Sequence, residues 1–327
     1  MKNHHELEKL LMSIDGRGYS AYKEIKGAYD FGTYQLFVDH VQADPYAPPS
    51  KSHIVINCDI TGIPNDLLDS KDKITAVSDF LTRVFWKNIQ HLNKGISGIR
   101  GSGLLLIDHC GQEMLERTAV LIKNNRIEVR FEIGLPAVGR RVLGKAANRI
   151  FQEILPKIVD RSLFYRNIDQ KALKNQVNLI MDQMYIRKEL ERKGLVAFIG
   201  NGSILPRESG ISDKLLSKGK IPFISPEKFE IEISLPYNGK ITGMGIPRGI
   251  TLIVGGGYHG KSTLLKALEL GVYNHIPGDG REFVITRQDA VKIRAEDGRN
   301  VEKVNIKYFS SSKCYGSFRS GDITFID

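Results

Sequence analysis

A short glycine-rich segment carries the residues best suited to chemistry. Residues 255–262 read GGGYHGKS and fit the pattern G-x-x-x-x-G-K-[ST], in which glycines let backbone N–H groups surround a polyphosphate. Lys261 is then expected to reach the terminal phosphates, and the hydroxyl of Ser262 to bind Mg²⁺. The spacing therefore predicts a phosphate-binding loop. The alternative is a glycine-rich turn with an incidental lysine.

The segments on either side of the loop are typical of such a site. The apolar residues Ile250, Leu252, Ile253 and Val254 predict a buried strand, and residues 262–270 predict a helix whose positive N-terminus faces the phosphates. We expect ATP with Mg²⁺ as the ligand, held by the whole loop. The predicted contact residues are Gly255, Gly256, Gly257, Tyr258, His259, Gly260, Lys261, Ser262 and Thr263.

Length and composition indicate a globular protein with an anionic partner. The chain has 327 residues, 41% of them hydrophobic and 26% charged, which predicts two domains. Its formal net charge is +10, which favours a nucleic acid, a nucleotide or a membrane surface as partner. Charge alone does not distinguish among these three.

Cysteine usage and the N-terminus predict a cytoplasmic location. Cys58, Cys110 and Cys314 are odd in number and form no C-x-x-C pair, which argues against a disulfide framework and a cysteine zinc site. The first residues lack the apolar core of a signal peptide, and no apolar run reaches about 18 residues. We therefore expect neither secretion nor a membrane span.

The elements that precede the loop predict an α+β N-terminal domain. Helices are expected near residues 7–14, 73–91, 141–155 and 169–193, and strands near 31–41, 52–58 and 195–199. A hairpin over residues 118–133 should turn at Asn124 and Asn125, which tolerate positive φ. The composition turns to Ser, Lys, Gly and Pro over residues 210–226, so we predict domains of 1–215 and 216–327.

A row of basic residues marks one predicted helix of this domain. Arg141, Lys145 and Arg149 recur every four residues, and Lys157 and Arg161 extend the charge. We interpret the row as a solvated face, because no aromatic residues interleave it. Contact with nucleic acid is the alternative. Residues 200–210, GNGSILPRESG, form a polar loop of the kind that covers a site or simply connects two elements.

Several long strings resemble a known family. They are YDFGTYQLFVDHVQADPYAPPS, GQEMLERTA, GLVAFIGNGSILPRESG, DAVKIRAEDGR and GMGIPRGITLIVGGGYHGKSTLLKALELGVYNHIPGDGRE, within residues 15–307. On these strings the chain resembles the predicted ATPases of the ABC class, which are distinct from the transporter ATPases. The resemblance implies an α/β fold, with a family-specific α+β domain followed by an ABC-type P-loop core.

The resemblance also implies particular functional residues and partners. In ABC-type cores an aromatic residue upstream of the loop stacks on adenine, a role that falls to Tyr237, with a turn tyrosine as the alternative. A glutamine after the next strand senses Mg²⁺ and the attacking water, a role that falls to Gln288. The resemblance further implies ATP hydrolysis, association with RNA for some members, and action as a dimer.

The chain departs from the family in two places. Tyr258 stands where ABC-type loops usually carry another glycine. The sequence ends at Asp327, before the family's second acidic motif and its signature, so we expect a truncated core that binds ATP and turns it over negligibly. A module that binds nucleic acid such as RNA, with a non-hydrolysing nucleotide site, is the alternative function.

Overall fold

A computed structural model describes residues 1–92, 102–256 and 259–293 of the chain. The chain divides into two compact units, Met1–Val177 and Asn178–Asp327. Each unit has its own sheet and its own core.

The division comes earlier than the predicted boundary between residues 215 and 216. Residues 210–226 do change in composition, but the strand Leu195–Gly200 already pairs with Lys240–Pro247 and with Val284–Thr286. Strand pairing therefore places residues near 195 in the second unit, and the boundary falls within a helix.

The first unit is built around a seven-stranded sheet. The strands of the first unit are β1 (Lys2–Asn3), β2 (Gly27–Asp30), β3 (Gln35–His40), β4 (Ser50–Asn57), β5 (Leu105–Leu106), β6 (Glu113–Met114), β7 (Val120–Lys123), β8 (Arg126–Ile133), β9 (Ala137–Val138) and β10 (Arg141–Val142), of which β6, β9 and β10 lie outside this sheet. The sheet order is β1-β2-β3-β4-β8-β5, with β7 also on β8. β1 and β2 are parallel, and the other pairs of this sheet are antiparallel.

The first unit also contains helices, one of which packs against the sheet. They are α1 (His4–Ser13), α2 (Cys58–Thr61), α3 (Lys71–Leu92), α4 (Gly144–Arg149) and α5 (Leu155–Leu163), with a π-helical turn (Ile150–Ile154) and 3₁₀ turns (Tyr19–Ile25, Asn65–Leu67, Tyr165–Asn167). The ring of Phe85 on α3 packs 6.3 Å from that of Phe131 on β8. Alternate residues of β8 are buried, as the period of two requires.

The predicted hairpin is confirmed. β7 and β8 pair with Lys123 opposite Arg126, and the two turn residues, Asn124 and Asn125, have φ of 51° and 57°. Positive φ at both central positions defines the tight turn that matches the twist of the strands. Asparagine tolerates this conformation better than other residues with a side chain.

The predicted helix over residues 141–155 is wrong at its start. Arg141 lies in β10, opposite Val138, and its guanidinium donates to the carbonyl of Gly16 at 3.2 Å. The helix begins at Gly144, where a carboxylate oxygen of Asp15 accepts the N–H of Gly144 at 2.7 Å. A Cβ at Gly144 would lie 2.1 Å from a backbone oxygen of α1, so only glycine allows α4 to begin here. Arg141 is therefore not part of the basic row.

The second unit contains a four-stranded antiparallel sheet in the order β14-β15-β11-β17. Its elements are α6 (Gln170–Arg192, which begins in the first unit), β11 (Leu195–Gly200), β12 (Arg207–Ser209), β13 (Ser212–Leu215), a 3₁₀ turn (Glu227–Phe229), β14 (Glu230–Ser234), β15 (Lys240–Pro247), α7 (Lys261–Leu270), β16 (Asn274–His275) and β17 (Val284–Thr286).

A helix packs on each face of this sheet. All six residues of β11 are buried. On one side they join Ala267 and Leu268 of α7 in a hydrophobic cluster, and on the other they join Ile186 and Leu190 of α6. The second unit is therefore layered helix–sheet–helix, and the α/β class predicted from the sequence is confirmed.

The strand predicted before the loop is not formed. Residues 251–256 have no regular secondary structure, and Ile250, Leu252 and Val254 are 67, 76 and 75% exposed. An apolar strand is buried only when neighbouring strands cover it and accept its hydrogen bonds. In the part of the chain that the structure describes, no strand pairs with this segment.

Among all the residues that the structure describes, no helix is both long and apolar enough to cross a lipid bilayer.

Candidate nucleotide-binding site

The predicted phosphate loop runs into the first turn of α7. Gly260 has a φ of +83°, which favours glycine, and its carbonyl accepts the N–H of Leu264 at 2.9 Å. The first N–H groups of a helix have no partner within the helix, so this end attracts anions. The predicted helix is confirmed, beginning one residue early at Lys261. Gly257 and Tyr258 lie outside the described residues.

Lys261 folds back over the loop. Its Nζ donates to the carbonyl oxygens of Gly255 at 2.6 Å and of Gly256 at 2.8 Å. These acceptors are neutral, and a phosphate oxygen is a stronger acceptor for an ammonium group. Lys261 is thus placed where its ammonium group can give up its hydrogen bonds to two carbonyl oxygens and bind an anion instead.

The backbone of the loop has little room for side chains. The N–H of Gly256 donates to Nδ1 of His259 at 3.0 Å. A Cβ on Gly256 would come within 3.0 Å of Cε1 in the same ring. Glycine at this position therefore lets another group approach the backbone N–H closely, as a cradle of N–H groups around phosphate requires, and in this structure the group is the ring of His259.

The two hydroxyl residues of the loop lie in the first turn of α7. Ser262 is exposed and Thr263 is half-buried. A hydroxyl oxygen is a ligand of the kind that Mg²⁺ accepts alongside phosphate oxygens. The chemistry and exposure of Ser262 fit this role.

The far end of α7 is tied to the end of β17. The hydroxyl of Thr286 donates to the carbonyl of Leu268 at 2.7 Å, and the N–H of Thr286 donates to Gly271 at 2.9 Å. Arg187 of α6 donates from Nε to the carbonyl of Thr286 at 3.2 Å and from Nη2 to that of Gly271 at 3.1 Å. It also donates to Val272 and, at 2.7 Å, to the side chain of Asn274. This buried cation suits the negative end of a helix.

Gln288 lies just beyond this connection. It is exposed, in a turn that begins two residues after the last residue of β17. The predicted strand before it is confirmed as Val284–Thr286. Because Arg187 and Thr286 join the end of β17 to α7, the backbone that leads to Gln288 is anchored to the helix that carries Lys261.

Tyr237 lies in the turn between β14 and β15. Its side chain is 49% exposed. The N–H groups of Tyr237 and Asn238 donate to the carboxylate of Asp182 at 3.0 and 3.1 Å. Burial raises the pKa of Asp182, although these hydrogen bonds act in the opposite direction. The buried side chain of Asp182, on α6, therefore holds the turn that carries the exposed ring of Tyr237.

A buried group of charges joins two glycine-containing loops of the second unit. Asp279 lies 2.8 Å from Nδ1 of His275 and 2.8 Å from Nη2 of Arg207. Burial alone would raise the pKa of Asp279, but His275 and Arg207 outweigh it and the pKa is lowered. This group was not predicted from the sequence. His275 and Asp279 are four residues apart, and this spacing indicates an ion pair only when the segment is known to be buried.

The polar loop noted in the sequence lines a cavity in this region. The cavity has a volume of about 350 Å³ and is bounded by Asn201, Gly202, Ser203, Leu215, Gly278, Gly280, Glu282 and Phe283. The loop therefore packs against the segment that holds Asp279, in addition to connecting two strands.

Comparison with known proteins identifies both parts of the chain. A family model described as the N-terminal part of ATPases of the ABC class matches residues 4–166, and one described as the P-loop domain of ABC ATPases matches residues 169–317. The second match contains the loop, α7 and Gln288.

A relative from an archaeon matches part of the chain. It is an uncharacterized protein of Methanocaldococcus jannaschii, 36% identical over 160 residues. The match covers 45% of this chain and 35% of the relative, so the chain spans about a third of that protein's length. The two family models, by contrast, together match nearly all of the sequence. The chain belongs to the family of ATPases of the ABC class, with the N-terminal domain of that family followed by its P-loop nucleotide-binding domain.

Proposed function

We propose that the chain binds ATP with Mg²⁺ at the loop of residues 255–263. The observation that carries the proposal is the position of Lys261, whose ammonium lies over the carbonyls of Gly255 and Gly256 at the start of α7. Backbone N–H groups and the helix N-terminus supply neutral donors there, and Lys261 supplies the charge. The family match over residues 169–317 supports the assignment.

Two further side chains have proposed roles in holding the ligand, and Thr263 is a further proposed contact. Ser262 would bind Mg²⁺ through its hydroxyl, and the ion would neutralise part of the phosphate charge. Thr263 lies next to it in the first turn of α7. Tyr237 would stack on the adenine, a role that suits an exposed ring on a turn fixed by Asp182.

Replacing Lys261 with alanine tests the site. Loss of a charge-assisted contact should weaken ATP binding at least about tenfold in calorimetry with Mg²⁺. Lys266 provides a matched control, because it lies on the same helix, is exposed and pairs with Glu269 at 3.3 Å. Lys266→Ala should bind ATP as the wild type does. Equal affinity in the wild type and Lys261→Ala would disprove the site.

We propose Gln288 as the residue that senses Mg²⁺ and the attacking water if the bound ATP is hydrolysed. Its position after β17, on backbone that Arg187 and Thr286 join to α7, supports this role. Such positioning contributes to phosphoryl transfer without forming a covalent bond to the substrate.

We propose RNA as a second ligand, bound by the first unit. The supporting observation is a group of exposed basic side chains on α4 and α5, namely Lys145, Arg149, Lys157 and Arg161. Counterion release would make such binding fall steeply with salt concentration. Reversing the charges of Lys145 and Arg149 should flatten that dependence in a gel-shift titration. Failure of single-stranded RNA to bind at low salt would assign these residues to a solvated face.

A further inference from the structure

His259 occupies part of the loop's own anion-binding backbone. Its Nδ1 accepts the N–H of Gly256 at 3.0 Å, so this donor is engaged while the contact lasts. The ring packs closely on the glycines, since a Cβ on Gly256 would lie 3.0 Å from Cε1 and 3.3 Å from Nδ1. A nitrogen that accepts a hydrogen bond carries no proton. The observed contact therefore requires His259 with an unprotonated Nδ1.

We infer that His259 competes with the phosphates of a nucleotide for the N–H of Gly256, and that protonation of its ring ends this competition. The inference rests on the proposed function and specifies how the same site is regulated. It makes His259 a determinant of affinity whose effect depends on pH.

The direction of the pH dependence follows from the ring chemistry. Neutral imidazole has one accepting nitrogen, whereas imidazolium has two donors and no acceptor. Once protonated, His259 releases the N–H of Gly256 and places a positive charge beside the incoming phosphates. Histidine is the side chain whose ordinary titration range includes neutral pH. Affinity for ATP should therefore rise as the pH falls from 8 to 6.

Lys261 is the charged group next to His259. Its ammonium donates to the carbonyls of the same two glycines, Gly255 and Gly256. It remains in every variant of His259, and the titration of ATP itself is also common to all of them. Differences in pH dependence between the wild type and these variants therefore report on position 259.

Two substitutions separate competition from other roles. His259→Gln keeps a side-chain acceptor that does not titrate, and His259→Ala removes the acceptor altogether. A single hydrogen bond corresponds to about threefold to tenfold in affinity. We expect His259→Ala to bind ATP about threefold to tenfold more tightly than the wild type at pH 8. The wild type should gain affinity by a similar factor relative to His259→Ala on going to pH 6, and His259→Gln should show no such gain.

Calorimetry with ATP and Mg²⁺ at pH 8, 7 and 6 measures these affinities, and circular dichroism checks that each variant folds. Identical pH profiles in the wild type and His259→Ala would overturn the inference, and so would weaker binding by His259→Ala at pH 8. Either result leaves the proposed function intact if Lys261→Ala still weakens ATP binding at least about tenfold. Binding that does not depend on Lys261 would instead overturn the proposed function.

Discussion

Replacing Arg187 with alanine should destabilise the second unit strongly. The side chain is 8% exposed, and its guanidinium donates to four oxygen acceptors at the end of α7 and the end of β17. Alanine removes the cation and its hydrogen bonds to the buried carbonyls of Thr286 and Gly271, although Gly271 still accepts the N–H of Thr286 at 2.9 Å. The connection between the helix that carries Lys261 and the strand that precedes Gln288 then depends on Thr286.

The size of the effect can be estimated from the contacts. A hydrogen bond from a charged donor contributes about 1.5–3 kcal/mol, and a buried acceptor left unsatisfied costs about 1–3 kcal/mol. These contributions share one side chain and are not additive. We therefore expect Arg187→Ala to lower the free energy of unfolding by about 3–5 kcal/mol. Arg187→Lys keeps the charge but not the planar fork, so we expect roughly half that loss.

Urea unfolding with two probes measures the effect. Circular dichroism follows both units, and the fluorescence of Trp86, on α3, follows the first unit. A loss confined to the second unit lowers the midpoint seen by circular dichroism and leaves the fluorescence midpoint in place. If Arg187→Ala does not fold, the smaller loss expected for Arg187→Lys can be measured instead.

Arg192 provides the control for this prediction. It lies on the same helix, α6, and pairs with Glu189 at 2.7 Å, but its side chain is 69% exposed, whereas that of Glu189 is 12% exposed. An ion pair with a solvent-exposed partner contributes about 0–1 kcal/mol, so Arg192→Ala should lower the midpoints far less than Arg187→Ala. Equal midpoints for Arg187→Ala and Arg192→Ala would refute the reasoning that burial and multiple donation determine the loss.

Three other substitutions test separate parts of the molecule. Gly144→Ala should destabilise the first unit by about 1–3 kcal/mol in urea unfolding, because its Cβ would lie 2.1 Å from a backbone oxygen of α1. Gly18→Ala is the control and should not destabilise the unit, because nothing lies within 4 Å of a Cβ at that position. Equal losses in the two variants would contradict the packing argument. Because contacts lower the pKa of Asp279, Asp279→Asn should cost stability above about pH 4, and the difference from the wild type should disappear as the pH falls through the lowered pKa; a pH-independent difference would contradict this assignment. If the wild type releases phosphate from ATP, Gln288→Ala should slow that release while leaving ATP affinity within about twofold, and unchanged release would then remove Gln288 from its proposed role.

The sequence alone determined the features that depend on neighbouring residues. The spacing of Gly255, Gly260 and Lys261 predicted the loop and the helix after it, and both Asn124 and Asn125 predicted a turn with positive φ. Gly194, with a φ of +67°, follows α6 where the sequence predicted its end. In each case the backbone conformation is selected by residues within a few positions of one another.

Only the tertiary structure decided which segments are covered and which charges meet. Residues 250–254 have the apolar composition of a buried strand, yet Leu252 and Val254 are exposed because no described strand pairs with them. Arg141 has the spacing of a helical row, yet β9 pairs with its segment as a strand, and the contact of α1 with Gly144 determines where the helix begins. Arg187 is far along the chain from the oxygens that it binds. Burial and ion pairing depend on which distant segments become neighbours in space, and the local periodicity of the sequence does not specify those neighbours.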